Sequence, residues 1–417
     1  MSSLPYATTN QDVRTCGINP NYWYAIARST QVKDKPLGIT LWHQAIVLYR
    51  DNCGTVHALE DRCPHRQVKL SHGRIIGNQL ECAYHGWQFG ENGECVAVPY
   101  LAANQKLPSC KIRSYPVLEQ DGFIWVFPGD VETLHTNNVQ TLHADNVQTL
   151  QTDNVQTLQT DNVQTLQTDN VQTLHTDNVQ TLQTDNVQTL HTDNVQTLHA
   201  TSLQPMPIPE WDHLNYIATV SQIDCAAHYS YLIENLMDMY HGHLHQDYQA
   251  WADPVLQDLH EDEGRVDAHY QAQSYYKIDK IWSISQLFFP ALRRLHPEPL
   301  DVSYIYPHWV STLGADFKIY CLLCPENEVK TRAYLIHFTS LNAFWRLHKL
   351  PVAFRRFVKN SLFGSAQKLL DGLVVQDVQM IESEQLAYLN HPEQRNYELN
   401  RAIVSVQRLI RNQAQPN

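Results

Sequence analysis

The sequence has no long apolar run and no surplus of positive charge. No window of its 417 residues reaches the ~18 uninterrupted apolar residues of a membrane-spanning helix, and residues 1–10 lack the basic and apolar regions of a signal peptide. The 30 Lys and Arg against 43 Asp and Glu give a net charge of −13, which offers no support for nucleic-acid binding. We therefore expect a cytoplasmic protein.

Cysteines are too few and too irregularly spaced for a disulfide scaffold. Two of the nine belong to a motif described below, and the other seven form an odd set without a paired pattern. Cys321 and Cys324 have the spacing of a redox motif, but residues 317–324 alternate like a strand. We interpret these two cysteines as buried packing residues. The odd set consists of Cys16, Cys53, Cys95, Cys110, Cys225, Cys321 and Cys324.

Residues 131–202 hold an octapeptide array without Lys, Arg or aromatic residues, in which Leu recurs from position 134 to 198 and Val from 139 to 195. At about 100° per residue, eight residues turn ~80° beyond two full helical turns. In a helix the repeated Val and Leu residues would therefore be spread around the axis and would not form one apolar face. A small β-coil is conceivable, but so few apolar residues cannot offset the ordering entropy. We predict a disordered insertion and attribute its five histidines to drift: His135, His143, His175, His191 and His199.

Two short Cys/His loops stand out in the first third of the chain. Cys63-Pro-His65 is followed after sixteen residues by Cys82-Ala-Tyr-His85, which leads into Gly86-Trp87. In a two-iron cluster, one iron can take two thiolates and the other two imidazoles. A structural zinc site is the alternative, although zinc sites usually pair Cys with Cys and His with His.

A second set of ligand-type residues lies about 150 positions later. Glu234, Asp238, His241 and His245 are spaced by four, three and four residues, which predicts one face of a helix over residues 227–245. Two imidazoles one turn apart can share a metal. His243 stays open as an alternative ligand.

Together, the two sets resemble those of the Rieske non-haem iron oxygenases. Respiratory Rieske proteins carry an extra cysteine in each cluster loop, whereas here Arg66 and Trp87 flank the ligand histidines, which favours the oxygenase branch. The resemblance implies an α+β protein: an all-β Rieske [2Fe-2S] domain over residues 21–130, the insertion over 131–202, and a catalytic domain over 203–412. The catalytic domain would combine an antiparallel sheet with helices in a helix-grip-like fold, with late helices over 365–390 and 396–412.

The resemblance also implies roles for individual residues. Cys63, His65, Cys82 and His85 would bind the cluster, whereas His241 and His245 would bind a mononuclear Fe(II) with a carboxylate from a late helix, because that iron needs three ligands on one side. Asp377 matches this carboxylate, and Glu382 and Glu384 are the fallback. Asp238 would join His241 to His85 of a neighbouring subunit, which implies a homotrimer.

Such an enzyme uses O2 and electrons from a ferredoxin or flavin reductase to hydroxylate or oxidatively demethylate an organic substrate. An aromatic or tetrapyrrole-like substrate is expected, by analogy with members that act on chlorophyll-derived tetrapyrroles. The alternative is a Rieske electron-transfer protein without oxygenase activity, against which the intact second histidine pair argues. The aromatic residues expected to line the substrate site, or else to pack in the sheet, are Trp282, Phe288, Phe289, Tyr304, Tyr306 and Trp309.

We predict that whole octapeptides can be deleted from the array with little effect on iron content, oligomeric state or turnover. Changing the length of a flexible loop alters its closure entropy slowly, by ~0.6 kcal/mol per doubling. Size-exclusion chromatography and iron analysis of variants lacking two or three repeats provide the measurement. Loss of the oligomer in these variants would show instead that the array folds and serves an interface.

Overall fold

The computed structural model describes residues 12–102, 104–129, 205–245, 251–274, 296–343, 349–394 and 396–414, with four short strands inside the array. The described residues fall into two compact units. The first contains residues 12–19, 24–126 and 207–414. The second contains residues 20–23 and 127–129 and the array strands.

Eleven short strands build the amino-terminal part of the first unit as three antiparallel sheets. Their orders are β1-β11-β10, β2-β3-β4-β9 and β5-β6-β7-β8. The bounds are β1 Tyr24–Arg28, β2 Leu37–Leu41, β3 Gln44–Arg50, β4 Val56–Glu60, β5 Arg74–Ile76, β6 Gln79–Glu81, β7 Gln88–Phe89, β8 Cys95–Ala97, β9 Ser114–Tyr115, β10 Val117–Gln120 and β11 Phe123–Val126.

The third of these sheets supports the two Cys/His loops. One loop lies between β4 and β5, and the other joins β6 to β7. Leu80 and Phe89, both fully buried, pair across β6 and β7 and pack in one core with Cys63 and Cys82. A fixed apolar layer therefore lies directly beneath the loops.

Within the array the structure describes two antiparallel strand pairs. One pairs β12 (Thr149–Gln151) with β13 (Asn154–Gln156), and the other pairs β14 (Leu182–Gln183) with β15 (Asn186–Val187). The predicted disorder of the array concerns mainly residues outside the described ones, so it stays a prediction.

A seven-stranded antiparallel sheet and three α-helices form the carboxyl-terminal part of the first unit. The strand order is β16-β22-β21-β20-β19-β18-β17. The strands are β16 Tyr216–Cys225, β17 Trp251–Asp262, β18 Arg265–Ser274, β19 His296–Ile305, β20 His308–Leu313, β21 Phe317–Asn327 and β22 Lys330–Ser340; the helices are α1 Tyr229–Met237, α2 Val352–Asn390 and α3 Arg401–Gln413. No helix in the described part of the chain combines the length and apolar character needed to span a bilayer.

The prediction of one helix over residues 227–245 is wrong. Helix α1 ends at Met237, and residues Met239–His245 form a separate 3₁₀ helix. Asp238 interrupts the α-helix with extended backbone angles, φ −92° and ψ 93°, while its carboxylate accepts a hydrogen bond from the Tyr240 N–H at 3.1 Å. This local side-chain bond offers the backbone an alternative to the helical ladder.

The late helices lie close to their predicted positions, with different starts. Helix α2 begins at Val352 rather than near residue 365. Helix α3 begins at Arg401 because the Asn400 side chain caps it, accepting from the Ala402 N–H at 3.0 Å. The α+β class is confirmed.

A buried ion pair ties α1 to the start of the described chain. Both nitrogens of the Arg14 fork bond to the Glu234 carboxylate, at 2.6 and 2.7 Å, and the guanidinium lies 3.4 Å from the centre of the Tyr231 ring. The two charged side chains are only 6% and 10% exposed. Glu234 therefore anchors the helix rather than joining a metal site.

We predict that Arg14→Met lowers the free energy of unfolding by about 3–5 kcal/mol, because it leaves the buried Glu234 charge unpaired. Urea denaturation measures the change. Arg62→Met is the matched control: Arg62 is 52% exposed in its pair with Glu60, so its loss should cost less than about 1 kcal/mol. Equal effects in the two variants would contradict the prediction.

Candidate metal centres

The two Cys/His loops have the same backbone conformation. In each, the cysteine N–H donates to the carbonyl five residues later, and the N–H four residues later donates to the cysteine carbonyl. The residue four positions after each cysteine has a positive φ, 62° at Gln67 and 69° at Gly86. The bonds are Cys63 to Val68 at 2.8 Å, Gln67 to Cys63 at 2.8 Å, Cys82 to Trp87 at 2.8 Å and Gly86 to Cys82 at 3.0 Å.

This repeated turn brings two thiols and two imidazoles together. Cys63 and Cys82 are 1% and 2% exposed and their side chains touch, while the rings of His65 and His85 lie 4.6 Å apart. His65 Nδ1 is buried without a hydrogen-bond partner. Burial raises the pKa of the Cys63 thiol to about 11, so bound cations would be needed to keep it a thiolate. The donor set suits a metal cluster.

Two aromatic residues support this group from the side. Trp87 stacks on His65, with ring centres 4.7 Å apart and planes 5° from parallel, and its Nε1 donates to the Tyr100 hydroxyl at 2.7 Å. Trp87 was part of the motif recognised in the sequence. Tyr100 was not, because nothing in the local pattern distinguishes it from other loop tyrosines.

A second group joins the 3₁₀ helix to α2. The ligand atoms of His241, His245 and Asp377 all lie within 4.8 Å of one another. Asp377 Oδ1 is 3.7 Å from His241 Nε2 and 3.2 Å from His245 Nε2. His245 is fully buried, yet its Nε2 makes no hydrogen bond of acceptable geometry. A buried nitrogen aimed at a carboxylate without bonding to it fits a metal between them.

The opposite nitrogens of both histidines are occupied. His245 Nδ1 lies 3.0 Å from Gln376 Oε1, and His241 Nδ1 makes a short contact with the Asp238 carbonyl. Each contact makes Nδ1 the donor and leaves Nε2 with a lone pair toward the group. Gln376 had no sequence signal beyond its place beside Asp377.

Burial and charge act differently on the two imidazoles. Burial lowers the pKa of His241 despite the nearby Asp377 carboxylate, so this ring is held in the neutral form that binds metals. Burial also opposes a charge on His245, but its contact with Asp377 outweighs burial and raises the pKa. A proton therefore competes with a metal at His245 as the pH falls.

Asp238 does not face His241 in the predicted way. Its Oδ1 accepts hydrogen bonds from the Tyr240 N–H at 3.1 Å and from Asn400 Nδ2 at 3.0 Å, and its backbone carbonyl, rather than its carboxylate, contacts His241. The predicted common face fails because Asp238 lies between two helices of different pitch.

The alternative ligands lie elsewhere. His243 is exposed, with Nδ1 3.2 Å from the Tyr240 carbonyl. Glu382 accepts from the Ala226 N–H at 2.8 Å, and neither it nor Glu384 belongs to the group. The structure thus brings Asp377 together with His241 and His245, and it places Glu382, Glu384 and His243 outside this group.

Of the six aromatic residues expected near a substrate, three lie in the described part of the chain. Tyr304, Tyr306 and Trp309 are at most 4% exposed and pack in the core. Trp282, Phe288 and Phe289 lie outside the described residues. In the described part of the chain, the Trp251 ring lies beside the His241/His245/Asp377 group, with its centre 5.9 Å from the His241 ring and 6.1 Å from that of His245. The sequence did not single out Trp251.

Comparison with known proteins identifies the domain that contains the Cys/His loops. A family model of the Rieske [2Fe-2S] domain matches residues 22–116. The 4beta-methylsterol monooxygenase of Methylococcus capsulatus is 27% identical over 97% of this chain and 91% of its own length. Protein TIC 55 of the Arabidopsis thaliana chloroplast is 46% identical over 25% of this chain, which is 20% of that protein.

A solved structure shares the fold over nearly the whole chain. Dicamba monooxygenase bound to 3,6-dichlorosalicylic acid has a TM-score of 0.63 and 19% identity, covering 95% of this chain and 98% of the other. The amino-terminal part is thus a Rieske domain. The chain as a whole is similar to the Rieske non-haem iron oxygenases. It is an oxidoreductase with a Rieske [2Fe-2S] domain, and its His241/His245/Asp377 group has the ligand types of a mononuclear iron site.

Proposed function

We propose that Cys63, His65, Cys82 and His85 hold the [2Fe-2S] cluster and that His241, His245 and Asp377 hold the mononuclear Fe(II). The observation that carries the second assignment is the fully buried His245, whose Nε2 points to Asp377 without a hydrogen bond. When bound, the two groups supply one-electron transfer and O2 activation.

The surrounding residues hold these ligands in one orientation. Gln376 and the Asp238 carbonyl fix the two imidazoles, and Asn235 Nδ2 lies 3.4 Å from Asp377 Oδ1. Trp251 covers both rings from the side of β17 and is itself held by its Nε1 bond to the Met239 carbonyl at 2.9 Å.

We infer a sizeable, largely apolar substrate that is hydroxylated or oxidatively demethylated. The relative that matches nearly the whole chain is named a methylsterol monooxygenase, and a shorter match is named chlorophyllide a oxygenase. Both names denote polycyclic compounds, in line with the expected aromatic or tetrapyrrole-like class. Electrons come from a ferredoxin or flavin reductase. None of the nine cysteines, all of which lie in the described part of the chain, forms a disulfide, which suits the reducing cytoplasm.

We predict that anaerobically purified protein contains three irons and two sulfides per chain, and that His245→Ala contains two irons with an unchanged cluster EPR signal. The reason is that His245 supplies one of only three protein ligands to the mononuclear iron. His243→Ala is the matched control, since His243 is exposed and outside the group. Full iron content in His245→Ala, or loss in His243→Ala, would contradict the assignment.

We further propose a homotrimer in which Asp238 contacts His241 through its backbone carbonyl and the cluster ligand His85 of the next subunit through its carboxylate. Asp238 ends α1 directly before the iron-binding segment, and Asn400 Nδ2 orients its carboxylate at 3.0 Å. Through such a link the helix end would connect two metal centres of different chains.

Asp238→Asn is expected to retain both cofactors but to transfer electrons from cluster to iron at least tenfold more slowly, because a neutral amide replaces the accepting carboxylate. Stopped-flow oxidation of a pre-reduced cluster, with substrate and O2 present, measures the rate. Sedimentation of the wild type tests the trimer. A wild-type rate in the variant would exclude the link.

A further inference from the structure

One face of the seven-stranded sheet carries the helices of the mononuclear site. Tyr270 in β18 is buried, and its hydroxyl donates to the carbonyl of Met237, the last residue of α1, at 3.0 Å. Trp251 in β17, whose ring contacts both metal histidines, pairs with Ser274, four residues after Tyr270. Residues an even number apart on a strand share a face, so Ser274 and its partner Trp251 lie on the same face of the sheet as Tyr270. We name this face the helix-side face.

This face can be followed across the sheet to β22, because directly paired residues of antiparallel strands point to the same side. A row of directly paired residues runs from Tyr270 through Leu300, Leu313 and Phe317 to Thr339. His337 lies two residues before Thr339 and pairs directly with Thr219 in β16. The side chains of His337 and Thr219 therefore lie on the helix-side face.

Thr219 and His337 lack polar partners. Thr219 is 2% exposed, and its Oγ1 has no hydrogen-bond partner. Among the described residues, the imidazole of His337 makes no hydrogen bond or ion pair, and its ring neighbour is Phe317 at 6.1 Å. Buried polar groups are nearly always satisfied in native proteins. Thr219 is such a group, and the partly exposed imidazole of His337 lies directly opposite it. Together they indicate a place for a ligand atom.

Charge limits what that atom can be. Burial lowers the pKa of His337 to about 4, so near neutral pH the ring is uncharged and offers one donor and one acceptor, as a hydroxyl does. The charged residues on the described strands of this face are acidic, Glu261 and Glu298. From α2, Asp371 faces the neighbouring Ser221 at 2.6 Å. A carboxylate or phosphate would find no cation on these strands.

We propose that Thr219 and His337 form a substrate subsite that binds an uncharged oxygen, a hydroxyl or carbonyl, of an otherwise apolar substrate. The subsite rests on the proposed function, because the reacting carbon would lie at the His241/His245/Asp377 group. Ile319, paired with His337, and Leu335, two residues from it, supply apolar contact on either side.

The position of α2 indicates the size of the substrate. Asp371 bonds Ser221, two residues after Thr219, and precedes Asp377 by six residues, which is about 9 Å along a helix. Gln367 bonds the Val220 N–H and Asp371 bonds Ser221, so α2 and β16 run in the same direction and Thr219 lies about 7 Å of strand farther from Asp377 than Ser221 does. The subsite and the iron ligands are therefore on the order of 15 Å apart, and a substrate whose ends lie about 3 Å from each must be on the order of 10 Å long. Rigid compounds of three or more fused rings meet this requirement.

The test uses equilibrium dialysis of the full-length protein, with both cofactors loaded, against phenanthrene, 2-hydroxyphenanthrene and phenanthrene-2-carboxylate. These compounds share one carbon skeleton and differ in a single group. We expect the wild type to bind the hydroxyl compound about tenfold more tightly than the other two, the usual effect of one or two hydrogen bonds. His337→Leu and Thr219→Val should each abolish this preference while leaving the affinity for phenanthrene within about twofold.

Two further variants make the outcome decisive. His337→Gln keeps a donor and an acceptor and should restore part of the preference, which also covers the case in which His337→Leu fails to fold. His269→Gln is the matched control, because His269 is exposed on the opposite face and pairs with Asp301 at 2.8 Å. The preference should persist in His269→Gln.

Tightest binding of the carboxylate, or a hydroxyl preference that survives in both His337 variants, would overturn the subsite. Failure of all three compounds to bind would overturn the inferred ligand class. Either failure is distinct from failure of the proposed function, which would instead appear as a protein that binds two irons rather than three.

Discussion

The close approach of His245 Nε2 to Asp377 Oδ1, at 3.2 Å, is the arrangement that the catalytic part of the fold maintains. The two residues are 132 positions apart, and neither atom gains a normal hydrogen bond from the approach. Such proximity persists only when other contacts hold both elements in place. Helix α2 is held against β16 by Asp371 and Gln367, which bond Ser221 and the Val220 N–H.

The 3₁₀ segment is held by different contacts. Arg14 anchors α1 through Glu234, Tyr270 bonds the last carbonyl of that helix, and Trp251 bonds the Met239 carbonyl. These bonds reach three separate parts of the chain. The ligand group is therefore preorganised by its surroundings, which is what an open three-ligand iron site requires.

At the Rieske centre, the ligand residues are held mainly by contacts within their own loops. Each ligand loop closes on itself through two backbone bonds between its cysteine and residues four and five positions later. A four- to six-residue motif thus contains most of its own geometry, so the pattern around Cys63 and Cys82 could be recognised from sequence. The mononuclear site has no such local closure: His243 could be set aside, and Asp377 preferred over Glu382 and Glu384, only after α2 and the 3₁₀ segment had been placed.

Sequence by itself determined the α+β class and narrowed the candidate ligands of both centres to a few residues, because these depend on short spacings and on apolar periodicity within single elements. The sequence-based prediction placed the end of α1 wrongly. A spacing of four, three and four residues does not reveal that the Asp238 side chain bonds the backbone in place of a helical hydrogen bond. The roles of Arg14, Trp251 and Gln376, and the opposition of Thr219 to His337, were decided by tertiary structure alone. Each of these contacts joins residues that are far apart in the sequence. Strand register and helix packing decide which of them meet, and a local sequence pattern does not specify either.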